Sequence, residues 1–95
     1  MQYILLIHRN TRLLPSEAEW ATFIERAQAS GLFRGGSEMG ARQVIGRTDG
    51  IASTDHIDGY MRFDSDDKQK IIDLLMGHPV VAHGGSVELC ELPPS

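Results

Sequence analysis

With one cysteine in the chain, Cys90, no internal disulfide can form, so packing and hydrogen bonding must hold the fold together. No stretch joins a basic start to a long apolar run, which leaves neither a signal peptide nor a membrane helix, and the expected location is cytoplasmic. Positive charge is scarce: 9 Lys and Arg stand against 13 Asp and Glu, a formal net charge of −4. Such a chain repels a phosphate backbone and lacks the basic footprint of a nucleic-acid binder. Repeats, linkers and low-complexity tracts are also missing. The 95 residues can bury one core, so a single domain over 1–95 is expected.

What is present is patterned. "QYILLIH", residues 2 to 8, is a nearly unbroken apolar run, as in a central strand apolar on both faces. "PSEAEWATFIERAQASG" follows, with Ser16 and Glu19 spaced as a capping box and Trp20, Phe23, Ile24 and Ala27 forming one apolar stripe. Gly31 is placed as the left-handed residue after the last turn. These signals predict a helix over 16–30. "LFRGGSEMGARQVIGRTDGIA" reads as one or two strands with bulges or a loop, ending at Asp49-Gly50, a two-residue hairpin signal. "IDGYMRFD", residues 57 to 64, alternates apolar and polar positions as a strand does. "SDDKQKIIDLLMG" predicts a second helix over 65–76, stopped by Gly77 and Pro79, and "SVELCEL", residues 86 to 92, is the last strand.

This order gives an α+β domain of the ferredoxin-like split βαβ type, an antiparallel sheet with both helices on one face. The first strand then has apolar side chains on a face that no helix covers. An exposed patch of that kind marks an interface, and a homodimer is expected.

The ordered set "MQYILLIH", "DGY", "HP", "GG" and "VEL" resembles the YCII-related proteins, including their DGPF-type branch. The resemblance implies a dimeric α/β barrel of ferredoxin-like domains with a cleft between sheets and helices. Most of that family has no known function, and at least one relative is described as a dehydrochlorinase of a chlorinated hydroxyquinol. The chain departs from the family pattern in two places. "DGIA" stands at residues 49 to 52, where the branch's tetrapeptide is expected, and the first helix has no histidine, so a dyad proposed for some relatives does not carry over.

The chemistry-bearing residues form one set of interest. Asp58, Tyr60 and Arg62 share a face of their strand, which in this topology lies beside the first strand and its terminal His8. His8, Asp58 and Tyr60 are the candidate catalytic groups. Arg62 is the candidate anchor for an anionic or phenolate oxygen, because its planar fork suits oxygen pairs. The plainer reading of these residues is a solvated or interface-facing strand surface. Asp55 and His56 extend the cluster or simply form a turn.

His78 is explained first by helix termination, and as a candidate ligand contact it would sit on the cleft rim; His83 is read as a loop residue. Dispersed histidines and a lone cysteine give no metal-ligand spacing, and neither metal nor cofactor is expected. Cys90 is read as a small hydrophobe on a strand. "RGGSEMG" lacks the helix that a phosphate loop requires, and "GYMRF" puts its two aromatics on opposite faces, unlike an RNA-binding sheet. Two functions follow: a small lyase or proton-transfer enzyme acting on a compact aromatic or anionic molecule, or a non-catalytic ligand-binding or regulatory module.

Overall fold

The structure, a computed structural model, describes residues 1–94. In chain order the elements are β1 (Gln2–His8), α1 (Glu17–Ala29), β2 (Phe33–Glu38), β3 (Ile57–Asp64), α2 (Lys68–Leu75), a single turn α3 (Pro79–Ala82) and β4 (Val87–Leu92). The strands form one sheet in the order β2-β3-β1-β4, and every neighbouring pair is antiparallel. Each crossover therefore skips a strand: β3 lies between β1 and β2, and β1 lies between β3 and β4. This is the strand order of the split βαβ arrangement expected from the sequence.

Alternation along the central strands decides what each face does. Tyr3, Leu5 and Ile7 on β1 lie opposite Phe63, Met61 and Gly59 on β3. The side chains among them, with Phe23 and Ala27 of α1, Ile71 and Leu75 of α2 and Val80 of α3, make one buried cluster that leaves Gly59 out, so the helices share one face of the sheet. The intervening residues Ile4, Leu6 and His8 are only half-buried. Among the described residues no helix packs over them. β1 is thus a strand with one covered and one open face.

Helix α1 begins at the expected capping box. The Glu19 N–H donates to Ser16 Oγ and the Ser16 N–H donates to Glu19 Oε1, both at 3.1 Å, which satisfies two free donors of the first turn. The chain leaves the helix through Gly31, whose φ of 75° is the left-handed value anticipated there. Helix α2 starts later than expected. Ser65 Oγ accepts from the Asp67 N–H, and Asp67 is the N-cap, accepting from the Gln69 N–H.

Two expectations are corrected. No two-residue hairpin forms at Asp49-Gly50; β2 and β3 are joined by a long loop over 39–56 that contains no strand. Its apolar residues Val44, Ile45 and Ile51 lie exposed instead of alternating into a core. A side chain closes the loop: the Arg42 guanidinium donates to the carbonyls of Thr54, at 2.6 Å, and of Ile57. The second correction concerns Pro79, which does not simply stop α2. Proline fits the first position of a helix, where its missing N–H costs nothing, and here it opens α3 with His78 as N-cap.

Replacing Ser16 with Ala should lower stability by about 1 kcal/mol, a fall in melting midpoint of roughly 4–8 °C. Thermal unfolding checks this, and an unchanged midpoint would remove Ser16 from the cap.

Candidate functional site

A cleft of about 590 Å³ opens on the helical side of the sheet, between β2, β3, helix α1 and the segment that follows β1. Its apolar lining comes from Trp20 and Ile24 of α1, Phe33 of β2, Met61 of β3 and Val80 of α3. Polar groups border it from His8, Ser37, Glu38, Asp58 and Tyr60. The cleft exists because β2 bends at a bulge. The pairing shifts between Phe33 and Gly36, and Gly35 takes a φ of 102°, open to glycine but not to most residues. Gly36 also allows the two strands to approach, since a Cβ there would run into the Tyr60 carbonyl oxygen.

The segment after β1 is fastened at several points. Arg9 Nε donates to Asp58 Oδ1 at 2.6 Å, Asn10 Oδ1 accepts from the Ser86 N–H at 2.8 Å, and the Arg12 N–H donates to the His83 carbonyl at 2.9 Å. His83 is itself tied to α1, with Nε2 2.5 Å from Glu19 Oε2. Glu19 therefore caps its own helix with one oxygen and binds the loop before β4 with the other. The His83 contact, followed by the Ser16 N–H, pulls the Glu19 carboxyl below its ordinary value.

Behind Trp20 lies His78, fully buried. Its Nδ1 accepts from the Val80 N–H at 3.1 Å, which makes it the N-cap of α3, while Nε2 is buried with no hydrogen-bond partner among the described residues. Trp20 and Phe23 meet the imidazole edge-on, at ring-centroid distances of 5.0 and 4.7 Å. With Nδ1 accepting, the proton of the neutral ring sits on Nε2. Burial lowers the pKa from 6.5 to about 4, because the apolar surroundings penalise the charged form.

The residues singled out in the sequence are brought together only in part. His8, Asp58 and Tyr60 are among the residues bordering the cleft, though Tyr60 shares its strand face with Arg62 and not with Met61, whereas Arg62 and His78 do not border it. Arg62 lies opposite Ile4 on the sheet face away from the helices, exposed, with no hydrogen bond or ion pair among the described residues. His78 stands behind the apolar wall. Pairing slips between Ile7 and His8, so His8 lies opposite Ile57 and not Asp58. The partner of His8 is Glu88 of β4, at 2.8 Å from Nε2, and the His56 ring lies 5.4 Å away.

Sequence reasoning missed Glu88, Arg9 and Glu38. Alternation does put Glu88 and Cys90 on one face of β4, but the β1–β4 register that brings Glu88 to His8 is a tertiary fact.

No family model matches the chain, and no curated protein matches it. Among solved structures one match is an enzyme. It is 5-chloro-2-hydroxyhydroquinone dehydrochlorinase from Burkholderia phenoliruptrix, in complex with 2,5-dihydroxybenzoquinone. Identity is 8% and the TM-score 0.47, over 100% of this chain and 96% of that one.

The His78 environment predicts a pH dependence. The unfolded imidazole takes up a proton below about 6.5 and the folded one resists it until about 4, so this stability is complete above 6.5 and is lost as pH falls through that window. The full loss is on the order of 3 kcal/mol. His78→Asn keeps a capping oxygen but cannot titrate there, so its melting midpoint should fall less than that of the parent between neutral pH and pH 4. Parallel curves would show that His78 does not titrate as described.

Proposed function

We propose that the protein binds a compact, largely apolar small molecule in the cleft between the sheet and α1. The observation that carries this reading is the lining itself: aromatic and aliphatic walls with a few polar groups at one border, the usual make-up of a small-molecule site. The single tryptophan, Trp20, is part of that wall and gives a direct readout. Small aromatic probes should change its emission and raise the melting midpoint of the protein. An Ile24→Phe variant, which narrows the cleft and keeps Trp20 the single tryptophan, should weaken both effects at least tenfold. Full retention of binding by that variant would place the ligand elsewhere.

One observation favours proton transfer on the bound molecule. A carboxylate on one imidazole nitrogen fixes the ring and its tautomer, and Glu88 stands in that relation to His8, which borders the cleft. In this reading His8 moves the proton, Glu88 orients it, and Asp58, held by Arg9, shapes the border, while Tyr60 shares the open strand face with Arg62 and takes no part. A lyase-type step fits those roles. For a ligand that is turned over, His8→Gln should lower the rate by about 10²–10⁴ with affinity little changed. Binding without turnover of any probe would leave the non-catalytic module as the function.

The open face of the sheet supports a homodimer. Ile4 lies between Cys90 and Arg62, and Leu6 between Glu88 and Tyr60, an apolar centre with charges of both signs around it. A two-fold pairing of such faces buries the apolar residues and lets Arg62 meet a partner carboxylate, at about 25 cal/mol for each Å² of apolar surface removed from water. Its place on that face supports an interface role for Arg62 over a ligand-anchoring one. Leu6→Glu should yield a monomer at micromolar concentration in sedimentation; a monomeric parent protein would end the proposal.

A further inference from the structure

Resting on the reading of the cleft as a small-molecule site, the geometry points to a cationic amphiphile as its occupant, a molecule with a flat apolar body and an ammonium group that reaches Glu38. The charge at the cleft border carries this. Two carboxylates lie there, Glu38 and Asp58, and no Lys or Arg belongs to the lining among the described residues. Asp58 is already neutralised by Arg9 at 2.6 Å. Glu38 is not: its carboxylate has no ion pair and no hydrogen bond among the described residues. It pairs with Gly59 at the end of β2, on the same side of the sheet as Met61 and the helices.

The walls beside it reinforce the selection. Trp20 and Phe33 are both at the cleft, and aromatic faces attract cations through their quadrupole. An ammonium group entering there gains both the carboxylate and the rings, whereas a carboxylate on the ligand would meet Glu38 with like charge and no Lys or Arg to offset it. The one arginine once suited to an anion, Arg62, sits on the far face of the sheet. This inverts the anionic preference that the sequence suggested.

The test compares three probes of one shape, phenylpropylamine, phenylpropanol and phenylpropionate, by Trp20 emission and calorimetry on the intact protein. The amine should bind about fivefold or more tightly than the alcohol, and the propionate weakest. In Glu38→Gln, an exposed edge-strand change that leaves the core untouched, the amine's advantage should fall to twofold or less while the alcohol binds as before. In 1 M salt, where charges more than about 3 Å apart are screened, the advantage should also shrink. Equal or tighter binding of the alcohol or the propionate overturns the cationic assignment and leaves the cleft a ligand site. If none of the three binds at millimolar concentration, the cleft reading itself fails.

Discussion

A sheet covered on one face only is the constraint from which the rest of the molecule follows. Tyr3, Leu5 and Ile7 point toward α1, α2 and α3, and their neighbours Ile4 and Leu6 point the other way. Since side chains alternate, a central strand cannot place all its apolar residues under two short helices and one turn. The helical side gains a core together with a cleft where β2 curves away. The opposite side keeps a half-buried apolar strip. The proposed ligand site lies on the first side and the proposed dimer face on the second.

The fastenings of the cleft show a second economy. Asn10 and Arg12 hold the segment after β1 to the loop before β4, through Ser86 and His83, while Arg9 ties it to β3. That loop is joined to α1 by Glu19, and α1 supplies Trp20 and Ile24 to the wall. The helix cap, the loop and the cleft wall are therefore mechanically continuous. Changes at Glu19 and His83 should not add as independent sites do, because each removes the other's partner.

Local signals in the sequence carried most of the fold. The Ser16–Glu19 box, the Gly31 terminus and the alternation of residues 57 to 64 each act over a few residues, and each is found where expected. The Asp49-Gly50 turn was misread because its dipeptide favours a tight hairpin only when alternating strands flank it, and Arg42 holds a wide loop instead. Half of the candidate site was legible for the same reason. Placing Tyr60 and Arg62 on one face needs only the two-residue period, but choosing Glu88 as the partner of His8 needs the β1–β4 register, and a one-residue slip at Ile7 took Asp58 out of line. His78 was legible as a break between elements. Its burial under Trp20 and Phe23 was not, because nothing in "GHPVV" says which way the imidazole turns.

The bulge in β2 matters beyond the cleft it shapes. β2 is an edge strand, and a straight edge presents a row of unpaired N–H and C=O groups that can template further chains. The left-handed Gly35 interrupts that row in its middle, and the exposed Arg34 and Glu38 flank the break with charge. A neighbouring strand could find no uninterrupted register along it. The same local distortion that shapes the cleft on one side of β2 thus guards the chain against strand-by-strand aggregation along the other.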